Sequence, residues 1–113
     1  MADAVEDLLE ALENVDDATR EEAAKALAEL ADPSTFEPLL RAFEDEFWSV
    51  RAHAGWGVAR IGGPRAADVL VALFNDPIME VSDAAVAAMA TLGAGAVDRL
   101  LKALKDERWR VRE

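Results

Sequence analysis

The chain of 113 residues has no cysteine and no tyrosine, a single histidine, and only three serines. Without cysteine, disulfides and thiolate metal sites are excluded. Nucleophilic catalysis needs a nucleophile beside a base that a third group orients. Nothing in the sequence sets His53 beside Ser34, Ser49 or Ser82. No stretch approaches the roughly 20 apolar residues needed to span a bilayer. The opening MADAVEDLLEALEN lacks the basic start and apolar run of a secretory signal. A cytoplasmic protein with no membrane partner is therefore expected. Positive charge is scarce as well: 12 basic residues stand against 23 acidic ones, a net charge of -11. Phosphate backbones repel such a surface, so nucleic acid is not an expected partner. Lysine is rarest, with only Lys25, Lys102 and Lys105.

What the sequence does contain is repetition. DLLEALEN (7–14), PLLRAFED (38–45), VLVALFND (69–76) and RLLKALKD (99–106) align at spacings of 31, 31 and 30 residues. Between them recur TREEAAKALAELAD (19–32), VRAHAGWGVARIGG (50–63) and VSDAAVAAMATLGA (81–94). Both classes have helical apolar periodicity. We name the second class leading helices and the first class trailing helices. The leading stripe is Ala23, Leu27 and Leu30, matched by Ala54, Val58 and Ile61, then Ala85, Met89 and Leu92. The trailing stripe is Leu8, Leu9 and Leu12, matched by Leu39, Leu40 and Phe43, by Leu70, Val71 and Phe74, and by Leu100, Leu101 and Leu104. Stops at AD-Pro33, GG-Pro64 and GAG (93–95) separate the paired helices. One such hairpin cannot bury both helix faces, whereas stacked copies share a continuous core. The fold expected is all-α, an α-α superhelix in one domain (1–113), with repeats at 16–46, 47–77 and 78–107 and partial repeats at 1–15 and 108–113.

The pattern V-R-x-x-A-x-x-x-L/V-x-x-I-G, a proline-marked turn and P-L-L-x-x-F-x-D, at a period near 31, resembles the short HEAT-like repeat named after phycobilisome lyases. The resemblance is clearest in residues 47–77 and weaker in the third repeat, where Ser82 replaces the usual arginine. It implies a HEAT-like solenoid. It also implies one of several functions: scaffold, chromophore-lyase subunit or noncovalent tetrapyrrole binder, or iron-dependent hydroxylase. The hydroxylase of that group binds iron through His-Glu pairs after the repeat arginine, and here Arg51 is followed by Ala52-His53-Ala54. That activity does not carry over. No cofactor and no metal are expected, and a protein-protein interaction or scaffold module is the leading reading.

Candidate contact residues follow from comparing repeats. Trp56 stands where the others have Lys25 and Ala87, beside the small residues Ala84 and Ala87 in a stretch (84–97) without charge. A tryptophan there is either an interface anchor or a ring laid over its own helix. His53, which corresponds to Glu22 and Ala84, is a surface candidate. Trp48, Met79 and Trp109 share one position before a leading helix and read as hydrophobic staples. Ser49 reads as an N-cap and Ser34 as a turn residue. Gly55 and Gly57 are expected to permit close helix packing. The off-stripe rows of the trailing helices carry a charge gradient: Glu6, Glu10, Glu13; Glu37, Arg41, Glu44; Asp68, Ala72, Asn75; Asp98, Lys102, Lys105. Arg41, Lys102, Lys105 and Trp109 are therefore candidate contacts at and toward the basic end. Residues 2–13 read as an acidic cap and 108–113 as the first turn of a further leading helix. A homodimer through the C-terminal flank or the Trp56 surface is expected.

Overall fold

A computed structural model describes residues 4–93 together with Gly95, Asp98, Leu101, Lys102 and Lys105. The leading helices are α2 (Asp17–Leu30), α4 (Trp48–Ile61) and α6 (Met79–Ala90). The trailing helices are α1 (Ala4–Ala11), α3 (Phe36–Arg41) and α5 (Pro64–Leu70), and 3-10 turns prolong α3 and α5. No strand occurs among the described residues. The molecule extends 52 × 26 × 17 Å with a radius of gyration of 14.3 Å, against about 13 Å for a compact globule of this length.

One repeat position has positive φ each time: Ala31 at 50°, Gly62 at 74° and Gly93 at 98°; α2 and α4 stop directly at it, whereas α6 ends two residues earlier in the repeat, at Ala90. Glycine adopts this region freely, whereas an L side chain is strained in it. Ala31 closes α2 in the left-handed conformation, donating its N–H to the Leu27 carbonyl. The chain then turns through Asp32, whose carboxylate accepts the N–H of Ser34 at 2.9 Å. Hydrogen bonds to Ser34 hold the Asp32 carboxyl below the usual carboxylate range.

The leading helices α2, α4 and α6 stack directly on one another, and the trailing helices lie against that layer. Glycine makes the α2–α4 approach possible. A Cβ on Gly57 would lie 2.7 Å from Leu39 Cδ1 and 3.2 Å from the Ala28 backbone, and one on Gly55 2.9 Å from Leu73 Cδ1. The expected close-packing role of both glycines holds. Leu27, Leu39, Leu70, Val50, Val58, Val81 and Met89 are fully buried in the resulting core.

A recurring ion pair fastens this stack. Arg51 of α4 donates from Nε to Asp76 Oδ2 at 2.7 Å and from Nη2 to Asp76 Oδ1 at 3.0 Å. Its Nη1 reaches the Asp45 carbonyl at 2.7 Å. One repeat earlier Arg20 makes the same fork on Asp45, at 2.9 and 3.1 Å, and donates to the Asn14 carbonyl at 2.9 Å. Asp45 and Asp76 also accept the N–H of Phe47 and Ile78, both at 2.9 Å, which fixes the start of the next leading helix. The Arg51 and Asp76 side chains are 12% and 7% exposed. Burial by itself would raise the Asp76 carboxyl, but the hydrogen bonds from Arg51 and Ile78 and the Arg51 charge hold it below the usual range. In the third repeat Ser82 takes the arginine position and bonds to Met79 O within its own helix at 3.0 Å.

Three expectations need correction. Ser49 is not an N-cap: Phe47 holds that position, and Ser49 lies buried in the first turn, its hydroxyl donating to Glu21. Trp48 and Met79 are not staples. They are the first residues of α4 and α6 and point outward, while Phe47 and Ile78, one residue earlier, pack against the core. An aspartate-capped turn directs the residue two positions after the carboxylate inward, and the next one out. Leu30 is exposed, unlike its counterparts Ile61 and Leu92, which pack against the core.

Two substitutions test this account. Ala31→Gly is expected to raise stability by about 1 kcal/mol in urea denaturation, because it removes a left-handed alanine. Asp76→Ala is expected to cost about 3–5 kcal/mol by leaving Arg51 buried without its carboxylate. The double replacement Arg51→Met with Asp76→Leu should cost much less, a contrast that the same denaturation series reads directly.

Candidate interaction surfaces

All twelve residues of the trailing-helix rows are exposed: Glu6, Glu10 and Glu13 on and just after α1, Glu37, Arg41 and Glu44, Asp68, Ala72 and Asn75, and Asp98, Lys102 and Lys105. The apolar stripes beside them turn inward, with Leu39, Phe43 and Leu70 buried and Leu8, Leu9, Leu12, Leu40, Val71 and Phe74 packed against the core. The rows thus form one face whose charge runs from acidic at α1 to basic at Lys102 and Lys105. This face is creased. Between α1 and α3 lies an open cleft of about 470 Å³, with Leu9, Leu12, Pro38 and Ala42 at its walls and Glu10, Glu13, Arg41 and Asp45 around them.

A second, shallower cleft lies at the turns inside successive repeats, lined by Pro33, Phe36, Ile61, Pro64 and Arg65 among others. The Arg65 guanidinium sits 5.0 Å from the Phe36 ring centroid and pairs with Glu37, bridging two repeats. That cross-repeat contact is not visible in either repeat read alone.

The leading helices present the other candidates. Trp56 is half-buried and packed against the core, with part of the ring open to solvent, beside exposed Lys25 on α2 and exposed Ala87 on α6. Ala84 is half-buried. Arg60 crosses from α4 to α2 and donates to the Ala28 carbonyl at 2.9 Å, capping the end of the neighbouring helix. His53 is half-buried rather than freely exposed, because α2 lies against it. Burial, aided by the Lys25 charge, pushes the imidazole below its ordinary value against the opposing pull of Glu21 and Glu29. Trp109 lies outside the described residues. Among the described residues no three His, Asp or Glu side chains gather as a metal site, and no helix is long and apolar enough to cross a membrane.

The His53 environment has a measurable consequence. A histidine whose folded pKa is depressed contributes stability above its unfolded value near 6.5 and loses it as pH falls through that value toward the folded one. His53→Gln is expected to flatten the decline in denaturation midpoint on going from neutral to mildly acid pH, leaving the later carboxylate-driven decline intact.

With this geometry in view, comparison with known proteins is informative. The family model for HEAT repeats matches residues 5–90. No curated protein matches the chain. Among solved structures, three engineered proteins from the Northeast Structural Genomics Consortium align over 90% of this chain, with TM-scores of 0.65, 0.65 and 0.63 at 26%, 24% and 25% identity. The alignments cover 51%, 52% and 31% of those chains, so this chain spans about half the length of two of them and about a third of the other. Their likeness agrees with a two-layer helical array whose hairpins recur every 31 residues. The chain belongs to the HEAT-repeat family.

Proposed function

We propose that the chain is a protein-protein interaction module that binds through the exposed face of its trailing helices. HEAT repeats typically serve as protein-interaction scaffolds. The observation that carries the assignment to this face is the uniform exposure of the twelve row residues above a buried stripe. An extended or helical partner segment lying along the array would meet Glu6, Glu10 and Glu13 with basic groups and Lys102 and Lys105 with acidic ones. The cleft between α1 and α3 offers an apolar anchor point at the acidic end.

The 31-residue period favours the short repeat type of the phycobilisome-lyase group, with 1–113 as one domain partitioned at 16–46, 47–77 and 78–107. The tetrapyrrole reading rests on resemblance alone. Trp56, His53, Ala84 and Ala87 form a secondary candidate surface on the leading helices, and self-association through the C-terminal flank or the Trp56 surface belongs to the same reading.

Affinity capture with identification by mass spectrometry tests the face. Glu10→Lys with Glu13→Lys, and separately Lys102→Glu with Lys105→Glu, are expected to weaken binding of the captured partner at least about tenfold, on the order of 1.4 kcal/mol. Glu22→Lys on the leading layer should leave it unchanged. Equal capture by all variants would refute binding at the trailing-helix face.

A further inference from the structure

Both walls of the cleft between α1 and α3 belong to consecutive trailing helices, so it lies within the array. Its apolar part is Leu9 and Leu12 on one wall and Pro38 and Ala42 on the other. At about 470 Å³ it exceeds the volume of any one side chain. Glu10 and Glu13 line the α1 wall and are exposed. The Glu13 N–H bonds to the Glu10 carbonyl at 3.1 Å, which carries the turn past the end of α1 and keeps both carboxylates on one rim. Only the first row has such a pair: the same positions hold Arg41 and Glu44, then Ala72 and Asn75, then Lys102 and Lys105.

The chain supplies no cation to this rim. Among the described residues neither Glu10 nor Glu13 enters an ion pair. The last turn of α1 has no basic residue, so both carboxylates stand at the negative end of the helix dipole, where a cation is favoured. Arg20 reaches the turn just beyond, but its donors are taken by Asp45, Asp17 and the Asn14 and Val15 carbonyls. Asp45, also in the cleft, is committed to Arg20 and to the Phe47 N–H. In α3 the repeat position of Glu10 is Arg41, and there the last turn carries its own cation.

We propose that this cleft holds an arginine side chain of a partner protein, its methylene stem against Leu9, Leu12, Pro38 and Ala42 and its guanidinium across Glu10 and Glu13. Stem and head match the two parts of the site, because long cationic side chains cover apolar surface while their charge stays at the water edge. Arginine is favoured over lysine because a planar guanidinium bridges two carboxylates, whereas an ammonium acts as a point charge. Arg20 shows the same use of the group inside this chain, joining Asp17 to Asp45. Arg41, on the opposite wall, repels a second cation and holds the guanidinium to the α1 rim. This deepens the interaction reading, on which it rests, by naming the side chain held at the acidic end.

Nuclear magnetic resonance titration of the full chain tests the site with capped peptides of one alanine- and glutamine-based sequence, carrying arginine, lysine or citrulline at the centre. The arginine peptide is expected to shift the amides of residues 9–13 and 39–42. It should bind at least about fivefold tighter than the lysine peptide, with binding of the neutral citrulline peptide lost. Glu10→Gln with Glu13→Gln should abolish the preference for arginine, and Arg41→Glu should strengthen arginine binding at least about fivefold. Should the glutamine variant fail to fold, the peptide series on the native sequence decides alone. Lysine or citrulline binding as tightly as arginine would overturn the proposal, as would shifts confined to other surfaces. Weaker binding by Arg41→Glu, or no binding at about 5 mM peptide, would overturn it equally. Equal arginine and lysine binding, with partner capture still lost in Glu10→Lys with Glu13→Lys, would remove this assignment alone. Capture unchanged in every charge-reversal variant would remove the face.

Discussion

A forked arginine-aspartate contact, repeated at a 31-residue interval, holds this array in register. Arg20 reaches Asp45 and Arg51 reaches Asp76, each spanning 25 residues from the start of a leading helix to the turn beyond its trailing helix. Each arginine also grips the backbone of the preceding turn, so Asp45 is held from both sides: its carboxylate by Arg20 and its carbonyl by Arg51. Buried ion pairs of this sort add little net stability against an apolar substitute, but breaking one is costly. What they supply is alignment. The same carboxylates set the first N–H of the following helix, so turn, pair and helix start are specified together.

That division of labour leaves the two layers with different freedoms. The leading layer is committed to close contact, with Gly57 against Ala28 and no room for a methyl group. Its outer positions tolerate residues as unlike as Lys25, Trp56 and Ala87. The trailing layer fills its space with leucine and phenylalanine, and clefts open between its neighbouring members. Charge on that layer can change from repeat to repeat without disturbing the core, the condition under which a scaffold face diversifies.

Much of this was readable beforehand because period and apolar stripe are local properties. The turns at Ala31, Gly62 and Gly93 follow from local glycine and proline signals, and the buried Leu27, Val58 and Met89 and the outward rows from Glu6 to Lys105 follow from spacing. Errors arose where two neighbouring residues competed for one role. Phe47 and Trp48 are both large and apolar, and only the Asp45 cap decides which turns inward. The arginine and aspartate motifs were each visible, but their pairing is a tertiary fact across 25 residues.

The substitution at Ser82 gives the array a direction. Two of the three leading helices are riveted across repeats by arginine, and α6 is not: the Ser82 hydroxyl turns back to Met79 within its own turn. The start of α6 is still tied to α4, because Asp76 accepts the Ile78 N–H while Arg51 holds its carboxylate. What Ser82 gives up is the second grip: no side chain of α6 reaches the carbonyl of Asp76 as Arg51 reaches that of Asp45, so the turn before α6 is held from one side where the turn before α4 is held from two.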